Sequence, residues 1–194
     1  MEILDVVNSA LITLGQDTIT SLTATDKKAA RVCNAKYEAA IKRVFRELNW
    51  GCLKCGLDIP ATESDFEMYA SYYDLPGDCE KLLKVLYAED GSKVTGWHRI
   101  GGRIYLEEGD DSIHIEYVAY DDDPDNWDSV LLEAVVLSIA KSVARTLVGD
   151  NGEREKEVGN DLAYLIEKAK DVNMPEDGDS PRFQGQLNLA RGGF

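Results

Sequence analysis

The stretch Asp123–Val148, DPDNWDSVLLEAVVLSIAKSVARTLV, decides how the rest of the chain is read. Leu131, Val135, Ile139, Val143 and Leu147 recur every fourth residue, and Leu132, Val136, Ala140, Ala144 and Val148 form a second row one residue on. Two adjacent rows make an apolar stripe wide enough to be covered on more than one side of a helix. Asp123 suits an N-cap, Pro124 the first helical position and Gly149 the stop. The spacing predicts one helix over 124–148, and such a face needs partners from elsewhere in the chain.

Three further helical patterns supply them. Ile3, Val7, Ala10, Leu11 and Leu14 share a face of a helix over about 2–14, closed by Gly15, with Ile19 and Leu22 tucking the following loop against the core. A capping box at Thr23–Asp26 opens a helix over about 25–49 with Cys33, Tyr37, Ile41, Val44 and Leu48 inward. Its other face carries Lys36, Lys42 and Arg43 among further cations, which suits a solvated surface or an acidic neighbouring subunit. A second capping box, Asp150–Glu153, opens a fourth helix over about 151–171, burying Val158, Leu162, Leu165, Ile166 and Ala169.

Between the helix pairs, over about 51–120, the period falls to two. Leu83, Val85 and Tyr87 alternate before a turn at Asp90-Gly91; Gly101-Gly102 turns the chain into Arg103–Leu106; Ile113, Ile115 and Tyr117 alternate with His114 and Glu116. The piece 61–78 reads as loop anchored by Phe66, Tyr69, Tyr72 and Tyr73. The fold expected is mostly α (α+β): an antiparallel four-helix bundle with an inserted small antiparallel β meander and an extended C-terminal tail. Residues 1–173 form a single domain in this reading. The tail, 174–194, has Pro and Gly but no helical stripe, and its Arg182, Phe183, Leu187, Leu189, Arg191 and Phe194 read as anchors of a docking arm.

Composition narrows function. The chain has 36 acids against 21 bases, a formal net charge of −15. Phosphate-clamping nucleic-acid binding needs clustered cations, so tight DNA binding is not expected. No apolar run approaches the roughly 18–20 residues of a membrane span, and the acidic N-terminal stretch does not read as a signal peptide. The cysteines then read as reduced thiols. Cys52 and Cys55 make one CxxC, on opposite faces of a strand if the period is two; a zinc site commonly takes two such pairs. Asp121, Asp122, Asp123 and Asp125 lack the length and spacing of a calcium loop, and helix capping accounts for Asp123. No catalytic residue, metal ligand or cofactor is assigned.

The ordered succession VNSALITLGQDTITSL (7–22), LNW (48–50), YDLPGDCEKLLKV (73–85), GGRIYLEEGDDSIHIEYVAYDDDPDNWD (101–128) and LSIAKSVARTLVGD (137–150) resembles the tail tubular protein A family, head-to-tail adaptors of short-tailed phages. The segment CLKC after Trp50 departs from that pattern. The resemblance implies a structural virion protein made in the host cytoplasm, a subunit of a dodecameric ring between the portal protein and the tail nozzle protein. Genomic DNA would pass through its channel without specific binding, no membrane is involved, and the C-terminal segment would reach the portal or a neighbouring subunit. Two other classes stay open: a regulatory helical domain that binds another protein, and a metal-dependent hydrolase built on Asp121–Asp125 with His98 or His114.

Overall fold

A computed structural model describes residues 1–24, 26–87, 89–149 and 151–173. It contains helices α1 (Ile3–Thr13), α2 (Lys28–Glu47), α3 (Ser129–Leu147) and α4 (Glu153–Asn173). Its strands are β1 (Lys54–Pro60), β2 (Thr62–Glu63), β3 (Ser71–Asp74), β4 (Cys79–Tyr87), β5 (His98–Ile100), β6 (Arg103–Leu106) and β7 (Ser112–Ala119).

The expected four-helix bundle with a small meander is not what forms. The fold is α+β, with seven strands in two antiparallel sheets ordered β1-β7-β4 and β2-β3-β6-β5. A meander pairs strands in sequence order, whereas here β1 lies beside β7 and β3 beside β6. Such distant pairings leave little local signal. In β1 only Ile59 is buried, so the strand shows no alternation. The segment 61–78, expected as loop, holds β2 and β3, with Tyr73 buried and its hydroxyl donating to the Asp110 carbonyl (2.7 Å) while accepting from the Asp110 N–H (3.0 Å).

Helix α3 is the hub of the helical layer, and the other three helices pack on it more than on one another. Lys28 Nζ donates to the Thr146 carbonyl (2.7 Å), Lys36 Nζ to that of Ser142 (2.9 Å), and Ser138 Oγ to that of Ala40 (3.0 Å). The descending pairs show that α2 runs antiparallel to α3. Helix α1 runs parallel to α3: the Met1 amine meets Asp125 at 2.7 Å, and the Thr13 carbonyl accepts from Arg154 at the start of α4. On α3 the first expected row is buried through Leu131, Val135, Ile139 and Val143 but only half-buried at Leu147, and in the second row Ala140 and Ala144 are buried while Leu132, Val136 and Val148 are half-buried.

The boundaries shift where side chains find other partners. The expected 124–148 helix is two pieces. Asp123 caps a 3-10 turn, Pro124–Asn126, by accepting from Asp125 N at 3.0 Å; Asp128 then caps α3, accepting from Leu131 N at 2.8 Å. Trp127 separates them, because its indole N–H donates to the Asp121 carbonyl (3.1 Å) and its ring meets Phe45 edge-on at 5.7 Å. Likewise α2 starts at Lys28 rather than 25, since Thr23 turns back to Ser21 (2.8 Å between hydroxyls) and caps nothing. Asp150, the other expected cap, lies outside the described residues.

Two apolar cores result. One joins the helices and takes Val118, Leu83 and Tyr120 from the sheet side. The other lies between the two sheets, around Ile59, Tyr73, Val85, Ile104, Leu106, Ile113 and Ile115. Leu83 packs on the helical core, and the bulge in β4 between Leu82 and Lys84 keeps Leu82 and Val85, three residues apart, together on the inter-sheet core; the expected alternation of Leu83 with Val85 is broken there.

Candidate assembly surfaces

The acidic run after β7 folds onto itself. Asp121 accepts from Asp123 N (2.9 Å) and Asn126 Nδ2 (2.8 Å), and Asp123 caps the 3-10 turn. The two histidines are in different sheets, His98 on β5 and His114 on β7, and His114 Nδ1 pairs with Asp58 across β1–β7 at 2.6 Å. Neither joins the aspartates. Among the described residues no group of three or more His, Cys, Asp or Glu is placed to hold a metal ion.

The CxxC cysteines do not lie on opposite faces of one strand. Cys52 belongs to a 3-10 turn, Gly51–Leu53, and its thiol donates to Asp128 Oδ2 (3.5 Å), whereas Cys55 is in β1 opposite Tyr117. Trp50 causes the turn: fully buried, it donates its indole N–H to the Val44 carbonyl at 2.8 Å, ending α2 and redirecting the chain. Burial pushes the Cys79 thiol up, the reverse of what an activated thiolate needs.

The three cations singled out on α2 have different neighbours. Lys36 bonds α3, as described above. Lys42 pairs with Glu38 (2.7 Å), approaches Glu80 (3.9 Å), and stands 5.0 Å from the Tyr120 ring; the hydrogen bond it donates to Glu38 raises its pKa. Arg43 is exposed and borders a shallow apolar cleft floored by Val44, Leu162 and Ile166. So α2 does not present one uniform basic face. Arg182, Phe183, Leu187, Leu189, Arg191 and Phe194 lie outside the described residues.

No protein-family model and no curated protein sequence matches this chain. Its surfaces must therefore be read from their own chemistry. A surface that the sequence pattern did not assemble is the outer face of the second sheet. Tyr72, Tyr105 and His98 align there across β3, β6 and β5, and the loop before β3 folds Phe66 and Tyr69 over Tyr105, each with centroids 5.3 Å away. Arg103 stacks on Tyr72 at 4.1 Å and pairs with Asp74 at 2.8 Å. Gly109 allows the adjoining turn to close: a Cβ there would fall 2.2 Å from Ser71 Oγ. Leu57, Phe66, Met68, Trp97 and Ile100, most of the large apolar side chains exposed among the described residues, are in this β layer. The spacing of Tyr and Phe between 66 and 73 was the available signal; the pairing that gathers them was not.

Proposed function

We propose that this chain is a head-to-tail adaptor of a short-tailed phage, a structural virion subunit that forms a ring between portal and tail nozzle. The observation that carries the reading is the ordered series of motifs resembling the tail tubular protein A family, running from Val7 to Asp150. The geometry gives those motifs physical roles. Asn8 of the first motif pins the following loop through both Ile19 backbone groups (3.0 and 2.8 Å), and Trp50 of LNW ends α2. Tyr73 of YDLPGD ties β3 to the turn before β7.

In this reading the helical layer forms the ring wall, the β layer with its exposed apolar side chains faces the tail, and residues 174–194 reach the portal or a neighbour. A net charge of −15 suits a channel along which DNA passes without being held. Electron microscopy of the chain mixed with its portal tests it: stacked rings are expected, and purified partners that never associate at any concentration reject it. Deleting residues after Pro175 should leave the melting temperature unchanged while weakening that association.

A further inference from the structure

Helices α2 and α4 pack on α3 more than on each other, and an open cleft of about 280 Å³ is left between them. Val44, Leu162 and Ile166 make its apolar floor, and Glu47 and Glu167 form an acidic rim at the end nearest Asn173. Glu167 accepts from Lys170 (2.8 Å), while Glu47 makes no ion pair among the described residues. A phenyl ring is held by an apolar cavity of about 150 Å³, so the cleft has room for one aromatic side chain. The rim then calls for a cation beside that ring.

The chain carries that pair a short way beyond α4. Arg182 and Phe183 are adjacent, and they follow Pro175, Gly178 and Pro181, residue types that reverse chain direction. The reach is sufficient: Ile166 lies about 10 Å back along α4 from Asn173, and the stretch from Asn173 to Arg182 extends to at most about 30 Å. Phe194, the other aromatic residue after α4, has Gly192 and Gly193 before it instead of a base. We infer that Arg182 and Phe183 dock in the cleft of their own chain, Phe183 against Val44, Leu162 and Ile166 and Arg182 against Glu47 and Glu167. A segment on so short a tether meets the cleft at an effective concentration in the millimolar range. The same segment of a second copy, at micromolar concentration, cannot compete with it. The entropy of ordering offsets much of the contact and leaves docked and undocked states in about equal amounts. Such docking changes the unfolding equilibrium only about two-fold, which keeps the melting temperature within about 1 °C of the undocked chain's. Docked, the two anchors are withheld from other proteins, so the cleft is a brake that any partner of the segment must release.

The docking goes beyond the adaptor reading and rests on it only for the identity of the competing partner, the portal. The full-length chain is tested with Phe183 replaced by the photo-reactive p-azidophenylalanine, irradiated at low micromolar concentration and mapped by mass spectrometry. Cross-links are expected within single chains, onto residues 43–47 of α2 and 162–167 of α4. Ala163 is an exposed residue lining the cleft, and Ala163→Glu, which places a carboxylate there, should lower the yield about five-fold or more, whereas Ala163→Ser should not. Glu47→Lys should lower it as well, by reversing the charge that Arg182 meets. Circular dichroism melting verifies that each variant is folded. Cross-links scattered over other surfaces, or a yield that Ala163→Glu leaves unchanged, overturn the docking. Cross-links between chains place the segment on a second copy and overturn it too. Releasing a segment docked about half the time should tighten portal binding of Ala163→Glu about two-fold; an unchanged affinity rejects the brake. Chains that cross-link as expected yet never bind the portal reject the adaptor reading and leave the docking standing; portal binding without the cross-link does the reverse.

Discussion

The helical layer and the β layer hold similar kinds of side chain but differ in how completely they cover them. Around α3 only Glu133, Arg145 and Thr146 and the terminal Ser129 are fully exposed, and the one buried polar side chain, Ser138, donates its hydroxyl to α2. The β layer buries a smaller core between its sheets and leaves Leu57, Phe66, Met68, Trp97 and Ile100 open. A closed region specifies its own structure; an open one keeps apolar surface for something else. The difference is one of coverage: α3 is enclosed on nearly every side, whereas the sheets leave five large apolar side chains at the surface.

Truncating one core at a time gives the strongest test of that comparison. Ile139→Ala in the helical core and Ile115→Ala between the sheets should each cost about 2–5 kcal/mol in urea unfolding. Because Leu83 and Val118 link the cores, both should shift a single transition; two separated transitions would show the layers folding independently. A smaller loss, about 1–3 kcal/mol from overpacking, is expected of Gly109→Ala, whose Cβ would collide with Ser71. Near-ultraviolet circular dichroism should report it through the neighbouring tyrosines.

Helical packing can also be probed by pH. Burial raises the Cys33 thiol from its ordinary value near 9.0 to about 11. The folded state therefore holds this proton more tightly than the unfolded state. Its contribution is fully present below pH 9 and is lost as the pH rises toward and through about 11. Cys33→Ala should flatten the fall in stability across that window, measured against the same series for wild type. The smallest stability effect belongs to the open surface: Met68→Ser with Ile100→Ser should change unfolding free energy by less than about 0.5 kcal/mol. If the β layer makes tail contacts, the same pair should abolish binding of the nozzle protein in a pull-down; unchanged binding would return the patch to ordinary surface.

How far the fold was legible follows from the range of the interactions involved. Helical periodicity repeats within a few residues, so the stripe on α3 and the inward residues of α2 and α4 could be read in place. Turns at Asp90-Gly91 and Gly101-Gly102 were legible for the same reason, and Gly101 does adopt a positive φ of 62° between β5 and β6. The break at Trp127 was hidden, because the pull on that side chain comes from Phe45, far away in sequence. Of the three cations singled out on α2, the role of Lys36 was unreadable until α3 lay beside it.

By itself, then, the order of residues determined the four helical segments, the alternation along β7, and that the chain is strongly acidic, since each is a property of neighbours or a plain sum. Only the tertiary structure decided that β1 closes on β7, that the aromatic residues of three strands share one face, and that Val44, Leu162 and Ile166 line one cleft between α2 and α4. Those outcomes depend on which distant segments bury apolar surface against each other, and no local spacing encodes that choice.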